Sequence, residues 1–185
     1  MKYFKIFALV ISLALVCIKL FPRWTGEISH EQSSEVNASW QRVVDYARAN
    51  LPLEGRLAIK SDGFVYLKVD DEYIRTLFPM LGLVKKGYRE PPYFRSKDSP
   101  GAHISVFYED ENVSPKEIGQ TFHFDLKDIV IVHPSKNTSY AILEVESPEL
   151  EKLREKYGLK PHIRGHKYHI SLGKKNNFHH SSTRK

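Results

Sequence analysis

Two stretches of this chain, GAHISVF at 101–107 and KYHISLG at 167–173, repeat one pattern: His, Ile, Ser, apolar. No other feature constrains the fold as strongly. In a β-strand successive side chains point to opposite faces. His103 and Ser105 therefore share one face, while Ile104 and Val106 point the other way, into a core. His169 and Ser171 stand to Ile170 and Leu172 in the same relation. The two histidines are 66 residues apart, too far for a solenoid repeat and suited to two halves of one domain. Two such matches by chance are on the order of a one-in-several-hundred event.

Set side by side, the two strands would present two imidazoles around a small space lined by two hydroxyls. That arrangement suits in-line phosphoryl transfer. One neutral histidine takes a proton from water, and the other, as imidazolium, protonates the leaving alkoxide. The serines can hold non-bridging phosphate oxygens by hydrogen bonds. Neither a metal nor a cofactor is required.

The remaining pattern mixes helices and strands. VNASWQRVVDYARANL places Trp40, Val43, Val44 and Ala47 at helical spacing, with Asn37 or Ser39 as the cap. GRLAIKSDGFVYLKV reads as two strands around a turn at Ser61-Asp62-Gly63. DDEYIRTLFPML reads as a short helix ending near Pro79 and Gly82, followed by a loop from Lys85 to Ala102 rich in Gly, Pro, aromatic and basic residues. HISVFYED is a strand, TFHFDLKDIVIVHP is two short strands or a bent one, and SYAILEVES is another strand. SPELEKLREKYG is a helix capped by Ser147, started by Pro148 and ended by Gly158. KYHISLG is the last strand. The fold class predicted is α+β.

At 185 residues, with 41% apolar residues, the chain suffices for one domain with its own core. The one cysteine, Cys17, lies in the N-terminal apolar run, so the domain has no disulfide and no cysteine metal cage. That run, Ile6 to Ile18, follows Lys2 and Lys5 and has the length of a signal-peptide core. No convincing small-x-small cleavage site follows it. Residues 1–20 are expected to be a signal peptide or signal anchor, 21–35 a linker, 36–175 the domain and 176–185 a basic tail. The expected location is exported or membrane-anchored, with the domain outside the cytoplasm.

The net charge of +6 is unevenly distributed. Residues 151–185 carry ten Lys/Arg against two acids, and residues 21–150 carry fifteen against twenty. Lys85, Lys86, Arg89, Arg95 and Lys97 form a further basic cluster. Such clusters favour an anionic partner, a phosphate or a nucleic acid.

With these motifs the chain resembles the 2H (two-histidine) phosphoesterase superfamily, whose members carry two His-apolar-Ser/Thr-apolar motifs. The resemblance spans about 50–175. FHFDLKDIVIV matches the strand pair after the first motif, and AILEVESPELEKLREKYG the strand and helix before the second. It implies two pseudo-symmetric lobes of antiparallel sheet with flanking helices around a central cleft, here preceded by a hydrophobic segment. It implies a metal-independent phosphodiesterase acting on 2′,3′-cyclic phosphate or 2′–5′ linked nucleotides or RNA. His103 and His169 would be the general acid/base pair, with Ser105 and Ser171 holding phosphate. A monomer is expected. The chain departs from the family in two ways. Its export-like segment is unusual for an RNA-processing enzyme, and the family's frequent Pro-His falls on His162, while Tyr168 precedes His169.

Further substrate contacts are expected from Tyr93 and Arg95 in the loop before the first motif, Tyr168 beside the second, and Lys174 after it. Arg164 is another candidate to neutralise phosphate. His162, His166 and His169 invite a zinc reading, but Gly165 and KYHISL argue for a loop followed by a strand, and His162 has no hydroxyl two residues on. His123 should face out of the core, and His133, before Pro134, reads as a turn residue. A non-catalytic, membrane-tethered nucleotide- or RNA-binding module of the same fold is the alternative function.

Overall fold

A computed structural model describes residues 34–176. The expected leader (1–20), nearly all of the linker and the tail beyond Asn176 lie outside the described residues. The first helix, α1 (Ser34–Asn50), begins inside the expected linker, so Asn37 and Ser39 stand within it and do not cap it. Its stripe of Trp40, Val43, Val44 and Ala47 is buried, as the spacing predicts. Packing of that stripe stabilises the helix beyond the local cap signal.

β1 (Glu54–Ile59) and β2 (Val65–Lys68) form the expected hairpin. Its turn holds Gly63 at φ 93°, a conformation that glycine adopts without a Cβ penalty. The Asp62 carboxylate accepts from the Phe64 amide at 3.0 Å. The expected single helix after β2 is two separate turns, α2 (Glu72–Arg75) and α3 (Leu77–Met80). Pro79 lies inside α3, in a first turn where an amide needs no intrahelical partner. A 3-10 turn at Leu83–Lys86 follows, and then the long loop to β3 (His103–Phe107).

The expected short strands of this stretch are a short β4 (Thr121–His123) and a long β5 (Asp125–Ser135) that do not pair with each other: β4 pairs with β1, and β6 (Thr138–Glu146) returns beside β5. His133 belongs to β5 and is not a turn residue, because the hairpin turns later, at Lys136–Asn137. An edge strand accommodates Pro134. α4 (Pro148–Lys156) has the predicted start: the Ser147 hydroxyl accepts from the Leu150 amide at 3.3 Å. β7 (His169–Asn176) runs to Asn176, one residue into the expected tail.

All seven strands form one antiparallel sheet in the order β4-β1-β2-β3-β7-β6-β5. The α+β class holds. The sheet is continuous, and the β3–β7 seam, through the pair Ile104 and Ile170, joins β4-β1-β2-β3 to β7-β6-β5. A single residue, Phe124, separates β4 at one edge from β5 at the other, so the two edges meet there and the sheet is curled. One face carries the core: Leu57, Leu67, Ile104, Val106, Leu143, Ile170 and Leu172 are buried among residues of the helices. The other face carries the polar halves of both motifs. No helix among the described residues is long and apolar enough to cross a membrane.

Candidate active site

The seam sets the site. Ile104 pairs with Ile170 in antiparallel register. One step to either side, His103 lies opposite Ser171, and Ser105 lies opposite His169. The two histidines are thus diagonal neighbours on one face, a relation that separates α-carbons by about 7–8 Å. Both imidazoles are half-buried, as are both serines.

Each imidazole is held in the same way. His103 Nδ1 lies 2.8 Å from the Gly101 carbonyl, and His169 Nδ1 lies 3.0 Å from the Lys167 carbonyl. A carbonyl only accepts, so each Nδ1 carries the hydrogen and donates it. Each Nε2 is left to act on whatever enters the space between them.

The Gly101 carbonyl is itself held in place. The Asp71 carboxylate accepts from the Ala102 amide at 2.9 Å and pairs with the Lys68 ammonium. Lys68 also donates to the Ala102 carbonyl at 3.4 Å. Gly101 adopts φ 65°, and a Cβ there would collide with the Asp71 carboxylate and the Lys68 ammonium.

Aromatic rings surround His103. Tyr93 meets it edge-on at 4.7 Å between centroids, Tyr66 at 5.7 Å and Phe64 at 5.8 Å. Phe64 lies nearly parallel to both Tyr66 and Tyr108, and the Arg164 guanidinium sits 4.8 Å over Tyr108. Arg164 adopts φ 51°, uncommon for a side chain with a Cβ, and is tied to Asp110 at 2.8 Å. Burial pushes the His103 imidazole down to about 4. The Gly101 carbonyl opposes that shift, and His169, Lys68 and Lys60 add to it. Burial also lowers His169, where the Lys167 carbonyl and Glu144 oppose the shift and His166 adds to it.

The expected contact residues divide. Tyr93 lies against His103, and its hydroxyl pairs with Ser171. Lys174 sits 5.5 Å over the Tyr140 ring. It points away from the core, because a Cβ at neighbouring Gly173 would face Phe78 and Leu83. Arg95 is exposed in the loop. Tyr168 is a correction: it is 3% exposed, and its hydroxyl donates to the Pro161 carbonyl. Strand alternation explains this, since the residue before His169 must face the core side.

His162 pairs with Glu151 at 3.4 Å, away from the histidine pair. Among the described residues no group of three or more His, Cys, Asp or Glu side chains is arranged to hold a metal ion. Sequence reasoning missed Phe64 just before β2, Tyr66 and Lys68 on β2, and Glu144 on β6. Their signal was alternation in VYLK and AILEVE, legible only once the neighbours of each motif strand are known.

A family model described as "Swiss Army Knife, 2H phosphoesterase domain" matches residues 65–180, which include both motif strands. The chain belongs to the 2H phosphoesterase family. The match begins at β2, so α1 and β1 precede it. No curated protein and no solved structure matches the chain. A 2H phosphoesterase domain implies phosphoesterase activity on a phosphodiester substrate.

Proposed function

We propose that this 2H domain is a metal-independent phosphodiesterase that opens a 2′,3′-cyclic phosphate or cleaves a 2′–5′ linkage in a nucleotide or RNA. The observation that carries the reading is the diagonal pair of Nδ1-anchored imidazoles, each facing the other motif's serine. A phosphate seated between them meets both free Nε2 atoms, and the Ser105 and Ser171 hydroxyls donate to its non-bridging oxygens. Tyr93 walls the space beside His103, and Lys174 brings positive charge on the same strand as His169 and Ser171.

The charges nearest the pair divide the roles. Lys68 lies opposite His103 across the β2–β3 ladder, and Glu144 lies opposite His169 across the β6–β7 ladder. The cation favours neutral His103 and the carboxylate favours protonated His169. In this reading His103 Nε2 takes a proton from water as its oxygen bonds to phosphorus. The bond from phosphorus to the departing ribose oxygen breaks, and His169 Nε2 delivers a proton to that oxygen. His103 ends protonated and His169 neutral, and solvent restores both.

The test is turnover of a panel of nucleoside 2′,3′-cyclic phosphates and 2′–5′ oligoadenylate, with and without EDTA. The expected outcome is activity that survives EDTA and falls by roughly 10²–10⁴-fold in His103→Ala and in His169→Ala. Turnover unchanged in both variants would sink the reading. Tight nucleotide binding without turnover in the wild-type protein would point instead to a binding module of this fold. Loss of activity in EDTA, restored by zinc, would point to a metal site.

A further inference from the structure

The connection after α3 presents an apolar tip ringed by cations, and the cleft chemistry uses neither. Val84 is 64% exposed, and Met80, one turn earlier, is 42% exposed. Both sit on a firmly built segment. Leu83 and Tyr88 are buried on either side. The Gly87 amide donates to the Val84 carbonyl at 2.9 Å, and Tyr88 donates to Leu83 at 3.2 Å. Arg89 and Lys174 exchange two backbone hydrogen bonds of 2.8 Å, which fasten the segment to β7. With its neighbours anchored inward, Val84 is held outward.

Lys85, Lys86 and Arg89 are exposed beside Val84. Lys175 lies next to Gly87, with its ammonium 5.8 Å over the Tyr88 ring. Among the described residues none of these four cations forms a salt bridge with an acid. No acid lies between Pro79 and Glu90.

We propose that this tip docks on an anionic membrane surface. Val84 and Met80 enter the headgroup region, and Lys85, Lys86, Arg89 and Lys175 meet lipid phosphates. An aliphatic apex within a cationic ring fits the boundary between headgroups and acyl chains. A nucleic-acid backbone would engage the lysines and leave Val84 without a partner. The position agrees with the rest of the chain. The Lys86 ammonium lies 5.8 Å from the Trp40 ring near the start of α1, and the residues preceding that helix include the apolar run from Ile6 to Ile18. Residues 19–33 can span at most about 50 Å when extended, so a chain held in a bilayer through that run keeps the tip within reach of the surface. The proposal does not depend on the phosphodiesterase reading.

The experiment uses the full chain carrying Cys17→Ser and Val84→Cys, labelled at residue 84 with an environment-sensitive dye. It is reconstituted with phosphatidylcholine vesicles with or without phosphatidylserine. A control label replaces Ile118, an exposed side chain in the loop before β4. The label at 84 is expected to shift to the blue, and to be quenched by lipid-borne quencher, in vesicles with phosphatidylserine only. The label at 118 is expected to stay in water. Lys85→Glu with Lys86→Glu should weaken the response about tenfold or more. A label at 84 that stays in water in both vesicles overturns the proposal. So does a response indifferent to phosphatidylserine or to charge reversal, or a label that responds to RNA and not to lipid.

Discussion

Lys68 stands opposite His103 on β2, and Glu144 stands opposite His169 on β6, so the two imidazoles face charges of opposite sign. Neither charge is isolated: Lys68 pairs with Asp71, and Glu144 with Lys167 at 2.8 Å. Each still acts on its own histidine, so removing it should move that histidine. Lys68→Met is expected to raise the His103 pKa from about 4 toward the ordinary imidazole value. Glu144→Gln is expected to lower His169 further. Proton NMR titration of the imidazole C–H resonances reads both directions, and shifts in the opposite sense would reject the assignment of base and acid.

The pH profile follows from the same shifts. Both imidazoles are lowered, chiefly by burial. Catalysis needs one neutral and one protonated, so kcat/KM, which reports the free protein, should peak below pH 6.5. A bound phosphodiester anion favours imidazolium, and the kcat profile should lie at higher pH than the kcat/KM profile. Stability carries a matching sign. Between about pH 6.5 and 4 the unfolded chain binds protons that folded His103 does not. Stability should thus fall as pH drops through that window, and less steeply in His103→Gln; denaturant titrations at several pH values check this.

Gly101→Ala tests how His103 is held. The substitution meets both a positive φ and the Asp71–Lys68 pair. The expected result is a stability loss of about 1–2 kcal/mol and a fall in kcat on the order of tenfold to a hundredfold. KM should change less. Equal loss in both parameters would point to general unfolding of the cleft.

Arg154 on α4 supports β3 from the core side. It is 1% exposed and donates to both carboxylate oxygens of Glu111 and to the carbonyls of Val106 and Lys160. Its guanidinium also sits 5.3 Å from the Phe107 ring. Arg154→Ala removes the guanidinium from all of those acceptors, leaves the Glu111 carboxylate only the Tyr108 amide, and is expected to cost about 3–5 kcal/mol. Chemical denaturation reads that loss. Glu111→Ala, which leaves a buried guanidinium unpaired, should be comparably destabilising.

Local order in the chain was sufficient for several elements. The α1 stripe, the Ser61–Gly63 hairpin, the Ser147 cap and the outward face of His123 each depend on residues within a few positions of one another. The two motifs were legible for the same reason, because alternation assigns His103 and Ser105, or His169 and Ser171, to one face without any knowledge of partners. Tyr168 shows the limit of reading flanks: adjacency to His169 in sequence put it on the opposite face. The tertiary structure alone decided what surrounds the pair. The antiparallel seam at Ile104 and Ile170 crosses each histidine with the other motif's serine. Pairing of β2 and β6 with the motif strands brings Phe64, Tyr66, Lys68 and Glu144 to the site. The clamp of Asp71 and Lys68 on residues 101–102 aims the carbonyl that orients His103. Register between strands is set by packing across the whole sheet, and no single stretch of sequence contains it.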